Sequence, residues 1–261
     1  MYILFCLVTL FACVLGTICG MGGGVIIKPV LDAAQVMSVS SVNFISGIVV
    51  IGMTIWSVGK SLIKKESVLQ FDVTVYLAVS AAVGGLFGKQ LFQIVAGLFE
   101  NPNTAAGVQG ICLFLATLAT LIYTVRKEQI KSMHVNSIWI RILIGLGLGI
   151  FGAFLGIGGG PFNVAILCYF FSMETKVATQ NSLLIILFSQ AASTAKAAAG
   201  GVDKVPVLLL VCMVLTGVAG SEIGRRCNKR LNNRQAAWCL EGAMVLIMGI
   251  SCWNVYQYLV C

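Results

Sequence analysis

The chain has 261 residues, of which 59% are apolar and 10% charged, and its mean hydropathy is +0.98. Because soluble domains average about 45–50% apolar and about 25% charged residues, this composition excludes an ordinary globular enzyme, a disordered tail and a nucleic-acid-binding domain. The net charge of +8 arises from 17 Lys and Arg against 9 Asp and Glu, placed in short segments between apolar runs. Such segments typically mark one side of a membrane, so we expect a polytopic protein of the lipid bilayer that does not bind nucleic acid.

Successive apolar runs predict an all-α membrane protein. The first run has no basic stretch and no small-residue cleavage site after it, so we expect a retained membrane segment and not a signal peptide. Two short pieces that follow glycine clusters, 24–33 and 160–172, are too short to span alone, since a span needs about 20 residues. We expect each to fold back on the preceding run as a glycine-broken helical hairpin, over 2–33 and 137–172. The remaining runs are predicted to span, at 39–59, 71–88, 106–125, 177–195, 205–224 and 236–258.

The sequence repeats itself at an offset of 136 residues. The stretch GTICGMGGG at 16–24 aligns with GAFLGIGGG at 152–160, and all five glycines coincide. A second set of glycines also matches, Gly84 and Gly88 with Gly220 and Gly224. A G-x-x-x-G pair such as this is typical of close helix packing. The repeat predicts two halves of one design, each with a hairpin and three transmembrane helices.

The distribution of Lys and Arg decides how the halves are oriented. If all eight long runs crossed in simple alternation, nine cations would lie on one side and eight on the other. If each hairpin enters and leaves on one side, thirteen lie on the inner side, which is the expected cytoplasmic excess. The thirteen are Lys60, Lys64, Lys65, Arg126, Lys127, Lys131, Arg141, Lys176, Arg225, Arg226, Lys229, Arg230 and Arg234. We therefore predict inverted repeats over 1–125 and 137–261, joined by a basic linker over 126–136.

The two triple-glycine clusters are the main site candidates. Irregular backbone in the hydrocarbon layer is tolerated only where protein buries it or water wets it, so both clusters should point inward. Each opens a short helix whose first N–H groups lack intrahelical partners and lie at the positive end of the helix dipole. Two such ends near the midplane would bind a small anion without a charged side chain. The predicted substrate-binding residues are Gly22, Gly23, Gly24, Gly158, Gly159 and Gly160, with the amides Asn43 and Asn181.

Other polar residues are weaker candidates. Candidate substrate ligands are Lys28, Ser46, Gln180, Ser182 and Gln190, and Glu241 is a candidate proton relay. The competing interpretations are interhelical hydrogen bonds for the uncharged groups, pairing of Lys28 with Asp32, and an interfacial acid for Glu241. The basic cluster at 225–230 is expected to contact anionic lipid. We expect no metal site and no cofactor, because the only histidine stands without convergent ligands.

These motifs resemble the TauE/SafE sulfite exporter family, also called the TSUP transporters. The resemblance covers essentially the whole chain: the two glycine motifs, Pro29 after the first, the polar openings at 40–43 and 178–182, and the stretch 200–203. It implies secondary transport of sulfite, thiosulfate or an organosulfonate across a cell membrane, either a plasma membrane or a bacterial inner membrane. Lys28 departs from the family, which is usually apolar at this position.

Three other functions stay open on the sequence alone. They are an anion channel of similar architecture, a transporter of a non-sulfur anion such as a small carboxylate, and a structural or assembly factor. An intramembrane enzyme is not expected, because the sequence has no G-x-S-x-G motif, no H-E-x-x-H motif and no paired intramembrane aspartates. A coupling ion, such as a proton, and a second copy of the chain in a homodimer are further candidate partners.

Overall fold

A computed structural model describes residues 2–34, 37–64, 68–99, 102–157, 159–201 and 205–260. Within these ranges the chain forms ten α-helices and no β-strand. The helices are α1 (Tyr2–Cys19), α2 (Gly24–Ala33), α3 (Val39–Ile63), α4 (Phe71–Gly97), α5 (Pro102–Arg126), α6 (Ile138–Phe154), α7 (Pro161–Phe171), α8 (Thr175–Ala199), α9 (Val207–Arg230) and α10 (Asn233–Val260).

Seven helices in the described ranges are long and apolar enough to cross a membrane: α1, α3, α4, α5, α8, α9 and α10. The prediction of an all-helical, multi-pass membrane protein is therefore confirmed. The short helices α2 and α7 have 10 and 11 residues. At about 1.5 Å per residue they cover roughly half of a hydrocarbon layer about 30 Å thick.

Each of the six predicted single spans corresponds to one helix, α3 to α5 and α8 to α10, and α4 differs most from its predicted length. The apolar run ends at residue 88, but the helix continues to Gly97. Lys89 and Gln90 interrupt the apolar pattern without ending the helix, since Lys and Gln are good helix formers. The additional turns carry Lys89, whose half-buried side chain points to a cavity described below.

The chain breaks between α1 and α2 and between α6 and α7 at the two glycine clusters, and the two turns share a backbone conformation. Gly20 and its counterpart Gly156 have φ values of +68° and +71°, which L-residues rarely adopt. In both turns the next amide donates to the carbonyl five residues earlier at 3.1 Å, in the pairs Met21–Gly16 and Ile157–Gly152. The sequence repeat is thus accompanied by the same local hydrogen bonding in both hairpins.

The matched G-x-x-x-G pairs bring helix backbones into contact, as predicted. Helix α9 lies against α1, and α4 lies against α6. A Cβ atom at any of the four glycines would lie only 2.2–2.6 Å from a carbonyl oxygen of the partner helix. The contacts are Gly84 with Leu146, Gly88 with Ile150, Gly220 with Leu10, and Gly224 with Val14. The partner residues Leu146 and Ile150 lie 136 positions after Leu10 and Val14, which is the same offset that relates the glycines.

The parts of the chain before and after the basic linker interlock. Besides the pairs α1–α9 and α4–α6, helix α5 packs on α10 and α3 packs on α8. Each pair joins one helix from 1–125 with one from 137–261. The helices α3 and α8 supply much of the buried apolar core, including Ile45, Met53 and Ile185. The site is built around these two helices.

Candidate functional site

The two glycine turns meet between α3 and α8. A Cβ atom at Gly22 would lie 3.4 Å from the side chain of Ile186 and 3.5 Å from that of Val50. At Gly159 it would lie 2.5 Å from the Ile186 side chain, and at Gly24 it would lie 3.0 Å from Val50. Val50 and Ile186 stand close to the midpoints of their helices and are 0% exposed. Two apolar side chains therefore cover both turns in this conformation.

The turns also contact each other directly. A Cβ atom at Gly24 would lie 3.5 Å from the carbonyl oxygen of Ile157 in the second turn. The Gly23 carbonyl accepts from the amides of Ile26 and Ile27 and so begins α2, while the Gly23 N–H donates to the Met53 sulfur at 3.2 Å. The predicted site glycines at 22–24, 159 and 160 are all buried. Gly158, predicted with them, lies outside the described residues.

A cavity of about 560 Å³ opens at one end of α3 and α8, and we call it the basic cavity. This volume falls within the range of about 300–1,000 Å³ that is usual for ligand pockets. Its charged lining residues are three cations, Lys176, Arg225 and Lys229, and one acid, Glu174. Its uncharged polar lining consists of Thr17, Ser57, Ser61, Gln180, Asn228 and Asn233. The described lining therefore carries an excess of positive charge.

Arg225 is held in this cavity by a shared carboxylate. Its Nη2 donates to the Glu222 Oε1 at 3.1 Å, and the same carboxylate accepts from Arg226 at 2.7 Å, Lys60 at 3.0 Å and the Trp56 ring nitrogen at 3.1 Å. Three cations around one carboxylate leave the cluster positive. The expectation that Arg225 contacts lipid is corrected here, because its side chain is buried whereas that of Arg226 is 73% exposed.

The basic cavity ends close to the glycine turns. Its lining residue Leu183 lies one helical turn before Ile186 on α8, and Thr17 lies three residues before Gly20 on α1. The Asn228 Nδ2 donates to the Ile18 carbonyl at 2.7 Å and closes the end of α1 beside this lining. One turn of α8 thus separates the cavity lining from the residue that covers both turns.

A second cavity lies at the opposite end of α3 and α8, and we call it the small cavity. Its volume is about 20 Å³, which is room for about one water molecule. It is lined by Asn43, Lys89, Ala153, Gly156, Gln190, Ser193, Thr194 and Ala197. Lys89 is the one charged residue in this lining.

The wall of the small cavity contains a buried amide without hydrogen bonds. Asn43 is 8% exposed, and neither its Nδ2 nor its Oδ1 has a partner, although buried polar groups are normally paired. A Cβ atom at Gly156 would lie 2.7 Å from both the Asn43 Oδ1 and the Lys28 Nζ. Lys28 itself is buried and donates to the Leu155 carbonyl at 3.1 Å and to the Gln109 Oε1. An ammonium group and an unpaired amide therefore converge on this wall.

The structure separates the remaining predicted residues into lining and supporting positions. Gln180 lines the basic cavity and Gln190 the small cavity. Ser182 donates to the Gly20 carbonyl at 2.6 Å, and Ser46 donates to the Asn43 carbonyl at 3.2 Å. These two hydroxyls support the first turn and the Asn43 backbone.

Asn181 and Glu241 line none of the described cavities. The Asn181 Oδ1 accepts from the Gln70 amide at 3.0 Å and from the Thr74 hydroxyl, so this side chain fixes the start of α4. Glu241 is half-buried on α10. Asn43 and Asn181, which were predicted together as substrate-binding amides, therefore differ in their contacts.

Several lining residues were not among the predicted site residues: Thr17, Ser57, Lys89, Lys176 and Arg225. The repeat offset could have found some of them, because it relates Lys89 to Arg225 and Ser57 to Ser193. Lys176 and Thr17 have no comparable signal, since their place in the lining depends on contacts between distant helices.

The sequence model of the family described as Sulfite exporter TauE/SafE matches residues 5–251. The chain belongs to the TauE/SafE family. The family is one of membrane transporters and not of enzymes, and the resemblance predicted from the motifs is confirmed. The TauE/SafE chain is similar to the Probable membrane transporter protein YunE of Bacillus subtilis (strain 168), with 22% identity over 279 aligned positions covering 98% of each protein. No solved structure matches it.

Proposed function

We propose that this TauE/SafE protein is a secondary transporter of small sulfur-containing oxyanions, namely sulfite, thiosulfate or organosulfonates. The observation that carries the proposal is the basic cavity, whose lining has three cations against one acid and ends one helical turn from the paired glycine turns. Positive charge in a partly enclosed cavity raises the local concentration of anions. The substrate class comes from the family, which is described as one of sulfite exporters.

The proposed binding position is at the N-termini of α2 and α7, near the bilayer midplane. At each N-terminus the first backbone amides have no carbonyl of a preceding helical turn to bond, and the helix dipole adds about half a positive charge. Glycine at 22–24 and 158–160 leaves the backbone open to close approach by a ligand. Because Val50 and Ile186 cover the turns, the anion would have to displace these side chains as it moves on from the basic cavity.

We further propose that the two halves are inverted and that transport uses alternating access. Support comes from the opposite directions of the matched helices α3 and α8. Gly47 near the start of α3 lies against Gln190 and Thr194 near the end of α8, while Ser61 near the end of α3 donates to Gln180 near the start of α8 at 3.4 Å. The positive-inside rule then assigns the basic cavity to the cytoplasmic side.

Uptake by proteoliposomes tests this function. We expect purified protein to accelerate uptake of labelled sulfite, thiosulfate or methanesulfonate well above protein-free liposomes, with rates that saturate as the anion concentration increases. With the membrane potential held at zero by K⁺ and valinomycin, trapped unlabelled anion should stimulate entry of labelled anion, which a channel would not show. Rates equal to those of empty liposomes for all sulfur anions would contradict the proposal, and faster uptake of small carboxylates would reassign the substrate.

A further inference from the structure

The repeat offset relates the basic cavity to the small cavity. Five of the eight residues that line the small cavity lie 136 positions from a residue that lines the basic cavity. The pairs are Thr17 with Ala153, Ser57 with Ser193, Val58 with Thr194, Ser61 with Ala197, and Arg225 with Lys89. The two cavities are thus built from matched positions at opposite ends of α3 and α8, one open and the other almost closed.

The small cavity keeps the chemistry of an anion site. Lys89 occupies the position matched to Arg225, and no acidic residue of the described ranges forms an ion pair with it. The Lys28 ammonium approaches the same wall at Gly156, although Lys28 also interacts with the Asp32 carboxylate one helical turn away. Asn43 adds a buried amide without a partner. An anion in this cavity would give Lys89 a counter-charge and give Asn43 a hydrogen-bond acceptor.

We propose that the small cavity is the closed outer anion site of the transporter, formed by Asn43, Lys89, Gln190, Ser193 and Thr194. This inference rests on the proposed function and extends it to the second face of the membrane. A volume of about 20 Å³ is far below the 560 Å³ of the basic cavity, so the structure corresponds to the inward-open state. In the outward-open state the small cavity enlarges and the basic cavity closes.

Matched cysteines test which side each cavity opens to. Ser193→Cys in the small cavity and Ser57→Cys in the basic cavity are equivalent positions with the same side-chain change. We expect a membrane-impermeant maleimide to modify position 193 from outside and position 57 only from inside. Mass spectrometry of the individual peptides separates these sites from the native cysteines. External methanesulfonate, which does not react with maleimides, should reduce modification at position 193.

The outcome at position 193 is independent of which anion is transported. Outside modification at position 193 in vesicles that take up no sulfur anion would refute the proposed substrate but support the outer site. No outside modification in vesicles whose Ser193→Cys protein still transports the anion would overturn the inference. If Ser193→Cys does not fold, Thr194→Cys replaces it in the same cavity.

A charge variant gives a second, independent test. Lys89→Gln should weaken protection by external methanesulfonate about tenfold or more, because hydrogen bonds to charged groups contribute about 1.5–3 kcal/mol. Lys196→Gln is the matched control, since Lys196 lies at the same end of α8, bonds to Gln90 at 3.2 Å and does not line the small cavity. Equal protection in both variants would overturn the assignment of Lys89 to the site.

Discussion

Arg225 and Arg226 are adjacent residues that share one carboxylate but face different surroundings. Arg225 lines the basic cavity, and Arg226 is exposed beside the same Glu222. Replacing either residue by Gln removes one cation and one partner of Glu222, but only Arg225→Gln removes a group that an anion in the cavity can contact. Comparing Arg225→Gln with Arg226→Gln therefore separates direct contact with the anion from an indirect effect of weakening the ion pairs of Glu222.

We expect Arg225→Gln to raise the KM for anion uptake about tenfold or more, since a hydrogen bond to a charged group contributes about 1.5–3 kcal/mol. Arg226→Gln should leave the KM near the wild-type value. Concentration-dependent uptake in proteoliposomes measures both. Equal increases in the two variants would mean that the anion does not contact Arg225 and that the cluster acts only through α3 and α9.

The terminal methyl group of Ile186 lies near both glycine turns, together with the Cγ1 and Cγ2 atoms of the same side chain. The Cδ1 atom would lie 3.5 Å from a Cβ at Gly22 and 3.2 Å from a Cβ at Gly159. Ile186→Val removes this methyl and should lower the KM about fourfold, because burying one methylene contributes about 0.8 kcal/mol and the anion then displaces less apolar surface.

The neighbouring Ile185→Val is the control for Ile186→Val. Ile185 is 1% exposed, so both variants should lose about 0.5–1.5 kcal/mol of stability, while only Ile186→Val changes uptake. Thermal unfolding in detergent and uptake kinetics measure the two effects separately. An unchanged KM for Ile186→Val would show that the anion does not displace this side chain during transport.

The helical hairpins depend on glycine at the two equivalent turns. Gly20 and Gly156 have positive φ values, and a Cβ at Gly20 would lie 2.6 Å from the backbone of Thr179. We expect Gly20→Ala and Gly156→Ala each to destabilise the protein by about 1–2 kcal/mol or more, because L-residues disfavour this conformation. A thermal shift assay in detergent measures this loss of stability as a lower unfolding temperature.

Gly147→Ala is the internal control for the turn variants. Gly147 lies within α6, and no atom stands within 4 Å of the position of its Cβ. Alanine there should be neutral or stabilise the protein by about 0.5–1 kcal/mol, since glycine is disfavoured in helix interiors. If Gly20→Ala were as stable as Gly147→Ala, the positive φ would not be a requirement of the hairpin.

The helices could be predicted from the sequence because their signals are local. Apolar runs located α3, α5, α8, α9 and α10, and the glycine clusters located the breaks between α1 and α2 and between α6 and α7. The continuation of α4 past residue 88 was missed because Lys89 and Gln90 resemble a helix end in a pattern of hydropathy. Amide side chains were harder to assign, since the Asn181 bonds to Gln70 and Thr74 join residues more than 100 positions apart.

At the scale of the whole molecule, one face of α8 connects the two cavities. Lys176, Gln180 and Leu183 line the basic cavity, and Gln190, Ser193, Thr194 and Ala197 line the small cavity. Ile186 lies between these groups against both glycine turns. The spacing of three to four residues keeps all of them on one helical face. This face, with the antiparallel face of α3, forms the proposed route through the protein.

The two helices that line this route, α3 and α8, are each packed against other helices. Each of the closest pairs joins one helix from before the basic linker with one from after it, so a shift of α3 against α8 must also involve α9 and α4. The sequence predicted the repeat but not this exchange of partners, because an offset between matched glycines does not specify which helices touch. If transport follows the proposed alternating access, packed groups of helices from before and after the basic linker have to move together.

The central claim is that the two glycine turns bind a small sulfur oxyanion. A crystal structure with selenite, the heavier analogue of sulfite, tests it most directly, because anomalous scattering from selenium locates the anion. We expect the strongest selenium peak between the N-termini of α2 and α7, within hydrogen-bond distance of the amides at Gly24 and Gly159, with Ile186 displaced from the turns. A peak confined to the basic cavity beside Arg225, with the turns still covered by Val50 and Ile186 in a protein that transports selenite, would contradict the claim.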